Sequence, residues 1–180
     1  DTGKVLPETL REVENMERLV KEILTISKIE MDGLAGKAEP VPLPDTLAKV
    51  TETLLPLAQE RQITIHSQLV EDVTVSGNAS LLEKAIHNIL SNAIRHSPDG
   101  ADVFIHLTPS ILTVTNTGAS IPEEDLPVLF TPFYRVEKSR NKSTGGSGLG
   151  LYLVKTILEL HGFRYRVENT ETGVVFTVAF

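Results

Sequence analysis

Gly145-Gly146-Ser147-Gly148-Leu149-Gly150-Leu151 is the stretch around which this chain is built. Polar, charged sequence precedes it. Apolar residues at helical spacing follow it, at Leu149, Leu153, Ile157 and Leu160, with Val154 and Leu158 alongside. Glycines directly before a helix let a ligand approach the backbone, because no Cβ stands in the way. The first turn of that helix adds free N–H groups and the positive end of its dipole. Together these suit a phosphate. No Gly-Lys-Ser/Thr follows, so the stretch is not a P-loop. The glycine spacing also fails Gly-x-Gly-x-x-Gly, and a charged loop rather than a strand comes first. On its own the stretch fits a flexible linker before a helix equally well.

The whole chain narrows the choice. Its 180 residues leave room for one ordinary domain plus an appendage. With 41% hydrophobic and 23% charged residues it has the composition of a globular protein. A net charge of −7 argues against general nucleic-acid binding. The absence of cysteine excludes disulfides and thiolate metal sites. No apolar run approaches the roughly 18 residues of a membrane span, and no signal peptide is visible. The chain opens on Asp1-Thr2-Gly3 without Met, which suggests a piece of something longer.

Upstream, Leu6, Leu10, Val13, Met16, Val20, Ile23, Leu24 and Ile29 recur with charges between them. The spacing predicts one helix over 7–31 with a bundle-like stripe that needs a partner helix. Gly33, Gly36, Pro40, Pro42 and Pro44 mark a linker with a short extended piece and a domain boundary near residue 38. Asp45 is the expected cap of a helix to about residue 61, with Pro56 kinking it or breaking its last turn. Alternation predicts strands over 63–69 and 73–75, and Gly77-Asn78 leads into a helix over about 79–96. Ser97-Pro98-Asp99-Gly100 ends that helix. Two strands follow, 102–107 and 111–116, as a hairpin. Residues 118–146 are polar apart from an apolar island at 126–134, and a loop of that length is expected to be a lid. The glycine loop, a helix to His161 stopped by Gly162, and a final hairpin (165–169 and 174–179) complete the chain.

The 79–96 helix places Asn88 and Asn92 at i, i+4 on one face, with Arg95 and His96 one turn later. Asn is a middling helix former, because its side chain competes for the backbone. Carboxamide oxygens are hard neutral ligands suited to Mg²⁺, and Arg95 offers a planar fork for phosphate oxygens. Two solvated Asn on an exposed face remain the plain alternative. Asn116-Thr117-Gly118-Ala119-Ser120-Ile121-Pro122 closes a predicted strand. Asn can both accept from and donate to an adenine edge; a simple strand-ending turn is again the alternative.

Taken in order, the Asn-x-x-x-Asn helix, the Asn-x-Gly turn, Phe130-Thr131-Pro132-Phe133-Tyr134-Arg135 and the Gly-Gly-x-Gly-Leu-Gly-Leu loop resemble the catalytic, ATP-binding domain of bacterial sensor histidine kinases. They look like its N, G1, F and G2 boxes, and Gly-Val-Val-Phe-Thr at 173–177 looks like its closing strand. The resemblance covers about 41–180. Residues 10–30 resemble the second helix of the family's dimerisation and phosphotransfer domain. The implied division is 1–37 for that helix and linker and 38–180 for the catalytic domain. The implied fold is α+β: a two-layer α/β sandwich of the Bergerat type, with a mixed, mostly antiparallel sheet of about five strands under the helices and one long helix ahead.

The resemblance also implies roles. Asn92 would coordinate Mg²⁺ and Asn88 would support the metal–phosphate cluster. Arg95 and His96 fall where the family often has Lys and Tyr near the phosphates, and Arg135 would reach the triphosphate from the lid. Gly146, Gly148 and Gly150 would give backbone room at the phosphates, with Leu151 closing that box. Tyr134 and Leu149 would wall the nucleotide, and Thr177 would sit near the adenine. Asn116, Gly118 and Ile121 would form the base-reading turn. The implied cofactors are ATP and Mg²⁺. The implied activity is phosphoryl transfer to a histidine for relay to a response-regulator receiver domain, in a homodimeric full-length protein. The implied location is cytoplasmic, as part of an inner-membrane protein, with no nucleic-acid or membrane contact by this chain.

His66, His87, His96, His106 and His161 all lack the acceptor motif, so none is expected to be the phosphorylated residue, and the catalytic set on this chain lacks its nucleophile. Two positions depart from the family pattern. Asn116 replaces the usual Asp of the G1 box, keeping an acceptor but losing the charge, which predicts weaker nucleotide binding. Ser120 stands for a Gly, making any positive φ at the hinge costlier. The competing readings are another ATPase or Ser/Thr kinase of the same superfamily, and a nucleotide-free docking module.

Overall fold

A computed structural model describes residues 2–34, 38–136 and 147–180. Helix α1 (Thr2–Asp32) is followed by β1 (Glu39–Pro42), α2 (Leu43–Glu60), β2 (Thr64–Leu69), β3 (Thr74–Gly77) and α3 (Ala79–Arg95). After these come β4 (Asp102–Leu107), β5 (Ile111–Thr117), α4 (Gly150–Leu160), β6 (Arg164–Asn169) and β7 (Gly173–Ala179). Five strands form one sheet in the order β2-β4-β5-β7-β6; β2 and β4 run parallel and every other pair antiparallel. The mixed, mostly antiparallel sheet matches the expected architecture.

Alternation builds the two layers. Val103, Ile105 and Leu107 of β4, Leu112 and Val114 of β5, and Phe176 and Val178 of β7 point to one face and are buried. Leu47, Val50 and Leu54 of α2, Ile86, Ile89, Leu90 and Ile94 of α3, and Val154 and Leu158 of α4 cover them. The opposite face stays open: Phe104 is 44% exposed and stacks on His66, whose Nε2 lies 2.8 Å from Asp102 Oδ1.

The short strand expected near 73–75 is β3, which pairs antiparallel with β1 in a separate ladder, Val41 opposite Val75. Three local expectations are corrected. Helix α2 starts at Leu43 rather than being capped by Asp45. Pro44 fits the first turn, where no N–H is needed, and Asp45 lies inside that turn, where the dipole favours a carboxylate. The helix also runs through Pro56 to Glu60. Pro56 and Glu52 both lie on its exposed side, where water can donate to the carbonyl that proline leaves unpaired. Finally, α1 extends beyond 7–31 in both directions, with Pro7 inside it.

Helix α1 uses two faces differently. Ile26 and Ile29 are buried in a second core with Leu82 and Ala85 of α3 and Leu153 and Ile157 of α4. The stripe at Leu6, Leu10, Val13, Met16, Val20 and Leu24 is exposed. Helix α3 is capped by Asn78, whose Oδ1 accepts from Leu81 N at 3.0 Å. The Asn78 N–H in turn donates to His161 Nε2 at 3.0 Å, while His161 Nδ1 lies 2.7 Å from the Ile157 carbonyl. These partners require the neutral ring with its proton on Nδ1. His161 therefore ties the end of α4 to the start of α3, and Gly162, at φ +71°, stops α4 as expected.

Candidate functional site

The apolar stripe of α3 faces the sheet and turns Asn88, Ser91, Asn92 and Arg95 toward the lid and the start of α4. Two adjoining cavities lie there. The smaller, about 160 Å³, is lined by more polar and charged residues than apolar ones, among them Asn88, Tyr134 and Arg135, together with Gly148 and Gly150, with Arg18 and Glu22 reaching in from α1. The larger, about 540 Å³, is walled by Ile89, Val114, Val167, Val174 and Phe176, and Asn116, Gly118 and Ile121 also line it. Asn92, Arg95, His96 and Leu151 line both. One continuous site therefore has an apolar end with a single buried carboxamide and a polar end rich in guanidinium groups.

Asn116 sits on the helix-facing side of β5 between Val103 and Val174, and is 6% exposed. Among the described residues no hydrogen bond engages the carboxamides of Asn88, Asn92 or Asn116, although all three line the cavities. Asn88 and Asn92 are half-buried and Asn116 is buried, so their polar atoms face the cavities rather than protein partners. Three idle carboxamides around one cavity suit a polar ligand.

The turn after β5 is fixed from two sides. Gly118 takes φ +73° and donates to the Thr172 carbonyl at 2.9 Å, and a Cβ there would lie 2.8 Å from Pro98 Cγ. Ser120 carries no positive φ, so its replacement of Gly imposes no backbone strain. Asn169 clasps Ile121, accepting from its N–H at 2.9 Å and donating to its carbonyl at 2.7 Å.

The segment expected to be a lid contains a short 3₁₀ turn (Leu126–Val128). Phe130 meets the sheet edge-on at Tyr165 and Phe176, with ring centroids 4.8 and 6.0 Å away. Tyr134 donates from its hydroxyl to Asp125. Phe133, at φ +64°, donates its N–H to the Gly148 carbonyl at 2.9 Å. Gly148 itself sits at φ +77°, and a Cβ there would lie 2.8 Å from the Phe133 backbone. The F-box and G2-box segments therefore touch directly. Gly150 differs: a Cβ on it would meet nothing within 4 Å. The fold does not need glycine at that position, whereas a phosphate against the first turn of α4 would. Gly150→Ala should thus keep its melting temperature within about 2 °C and weaken nucleotide binding about tenfold or more, by steric loss of a charge-assisted contact. Thermal melts and a titration of the same samples check both halves.

Not every expected residue reaches the site. Leu149 is buried in the second core beside Leu153 and lines neither cavity, because the start of α4 turns it inward. Thr177 also lines neither. It lies between Phe176 and Val178, which face the helices, so alternation sends its side chain to the open face. Gly146 falls outside the described residues.

Charge is concentrated at the polar end. Burial pushes the Arg95 guanidinium below its ordinary pKa, Arg18 lowers it further, and Glu22 opposes both. His96 is lowered by burial on its inner side and then by Arg95, Arg135 and Arg61, which keeps the ring neutral at pH 7 while no anion is near. Arg61, unforeseen from sequence, clamps the end of α3: it donates to the Arg95 carbonyl, to the Ser97 carbonyl at 2.8 Å and to Asp99 at 3.1 Å. Cations favour helix C-termini, but Arg61 follows α2 and meets the end of α3 only through the tertiary fold, so its place in the sequence carries no local signal for that role. The same holds for Arg18 and Glu22.

The family model for histidine kinase-, DNA gyrase B-, and HSP90-like ATPases matches residues 77–180, more than half of the chain. The sensor protein VanSB of Enterococcus faecalis is 30% identical over 98% of this chain and 40% of its own length. The cytoplasmic segment of the histidine kinase QseC superposes with a TM-score of 0.66 at 26% identity, covering 93% of each chain. The histidine kinase ThkA, in complex with the response regulator protein TrrA, superposes at 0.70 with 24% identity over 93% of this chain and 47% of that one. The chain thus spans about two-fifths of the length of the curated relatives it matches. On this evidence the chain belongs to the histidine kinase-, DNA gyrase B-, and HSP90-like ATPase family, as the ATP-binding catalytic domain of the sensor histidine kinase branch.

Proposed function

We propose that this chain binds Mg²⁺·ATP between α3, the lid and α4, and delivers the γ-phosphoryl group to a histidine on a separate helix. The single observation that carries this is the continuous site, whose apolar end holds the buried, idle Asn116 and whose polar end gathers Arg18, Arg95 and Arg135. The residues fit the ligands. The larger cavity has the flat apolar walls an adenine needs, with one carboxamide for its edge. The polar end supplies guanidinium groups and the first turn of α4 for phosphates. No cluster of three His, Cys, Asp or Glu occurs among the described residues. A bound Mg²⁺ would therefore rest on the Asn92 carboxamide, with Asn88 nearby, and on the phosphates themselves, whose charge it would help neutralise.

Phosphoryl transfer is mostly positioning and charge stabilisation. In this reading Asn116 orients the base, Arg95 and Arg135 hold the phosphates, and Gly148 and Gly150 let them approach the backbone. A histidine nitrogen then attacks the γ-phosphorus, the bond to the β–γ bridging oxygen breaks, and ADP leaves. None of the five histidines here fits the acceptor. His66 sits on the open sheet face and His161 is committed to Asn78 and Ile157. The further parts of the reading follow the family. Residues 1–37 act as the second helix of a dimerisation and phosphotransfer domain, 38–180 as the catalytic domain, in a homodimeric parent. That parent passes phosphate to a response-regulator Asp from the cytoplasmic side of a bacterial inner membrane. No helix among the described residues is long and apolar enough to cross a membrane.

Incubation with γ-labelled ATP, with and without a separately supplied acceptor helix, tests the activity. Acid-labile phosphohistidine on the added helix, with no label on this chain, is the expected result. Phosphoserine on the added protein would point to the Ser/Thr kinases of the superfamily instead.

A further inference from the structure

We infer that Glu22 of α1 is a specificity-determining residue at the terminal-phosphate end of the site, setting how strongly a nucleoside triphosphate is held relative to the diphosphate. The inference rests on the nucleotide reading above. Its geometry comes from the two cavities. A nucleotide whose base lies beside Asn116 runs past the shared residues Asn92, Arg95 and His96 and ends in the polar cavity. One wall of that cavity is not catalytic-layer structure but α1, through Arg18 and Glu22.

Glu22 already uses the donors a terminal phosphate would seek. Its Oε2 accepts from the Ser147 hydroxyl at 2.5 Å, and Ser147 Oγ in turn accepts from Leu149 N at 3.2 Å. The hydroxyl of the glycine loop and one N–H at the entrance to α4 are thus committed, directly or through Ser147, to a carboxylate. Glu22 is also the one acidic residue among the described lining of this cavity, where Arg18, Arg95 and Arg135 supply cations. Arg18, Glu22 and Arg95 line this one cavity, and the Arg95 pKa, lowered first by burial and then by Arg18, is held up by Glu22. The carboxylate acts there as an internal anion among groups suited to phosphate oxygens.

A third phosphate brings more negative charge to the Glu22 end than a second does. The repulsion falls mainly on the triphosphate, because Coulomb energy drops with distance and solvent screening. By linkage, a bound triphosphate weakens the contact between α1 and the glycine loop by the same factor. The identity of the bound nucleotide is thereby coupled to the position of the helix.

Calorimetric titration of Mg²⁺·ADP and a non-hydrolysable ATP analogue into the wild type, Glu22→Gln and Ser147→Ala, with melts to verify folding, tests this. Glu22→Gln keeps an acceptor for Ser147 and loses only the charge. It should tighten the triphosphate analogue about three- to tenfold and leave ADP within about twofold. Ser147→Ala keeps the charge and should not reproduce that selective gain. Equal shifts for both nucleotides, or none, would overturn the inference while retained ADP binding left the nucleotide reading standing. Binding of neither nucleotide by folded wild type would remove both.

Discussion

Gly173→Ala should be the most damaging small substitution in the chain. Gly173 opens β7 opposite Thr117, and a Cβ there would lie 1.9 Å from the Asn116 carbonyl oxygen, 2.8 Å from its carbon and 2.9 Å from Thr117 Cα. All three are backbone atoms at the end of β5, so no rotamer change relieves the clash. The start of β7 must move off β5. That movement also loosens the Thr170–Gly173 turn, in which Gly173 O accepts from Thr170 N at 2.7 Å, and the neighbouring Gly118–Thr172 bond. We expect a loss of about 2–4 kcal/mol of stability, the upper range for overpacking, or a melting temperature lower by about 5–15 °C for a chain of this size. The same shift displaces Asn116 and Gly118, so binding should suffer even where the protein stays folded. Denaturant unfolding monitored by circular dichroism measures the first effect. A melting temperature equal to wild type would contradict the register of β5 and β7.

Asn92→Ala should act in the opposite sense on stability. Asn92 is half-buried in mid-helix, lines both cavities and forms no side-chain hydrogen bond among the described residues. Alanine is the better helix former by about 0.5 kcal/mol, so the apo protein should become slightly more stable. Binding should fall at least about tenfold in Mg²⁺, the scale of losing a metal-supporting group, and little in its absence. Loss of binding alongside a raised melting temperature separates a ligand-holding residue from a structural one. A variant that binds Mg²⁺·nucleotide as wild type does would return Asn92 to a solvated helix face.

The parts legible from sequence were those specified locally. Asn88 and Asn92 share a face because a helix repeats every 3.6 residues. Val103, Ile105 and Leu107 alternate inward because a strand repeats every two. Thr177 was misplaced although the same alternation, anchored on Phe176 and Val178, puts it on the open face; the motif had been followed and the period had not. The partner of β3 was not readable, since a three-residue alternation carries no information about which edge it meets. Pro44 misled the start of α2 because proline breaks helix interiors yet fits first turns. The contribution of α1 lay furthest from view. Glu22 and Ser147 are 125 residues apart, and their contact exists only because Ile26 and Ile29 dock α1 onto α3 and α4.

The loss of charge at Asn116 weakens the base contact but leaves its acceptor in place, buried and unengaged within the larger cavity. The account therefore stands or falls on nucleotide binding by the wild-type chain. The decisive measurement is a calorimetric titration of a non-hydrolysable ATP analogue, with and without Mg²⁺. Saturable one-to-one binding that Mg²⁺ strengthens is the predicted result. A folded chain that takes up no nucleotide under either condition would contradict it, and would move the reading as a protein-docking module to the front.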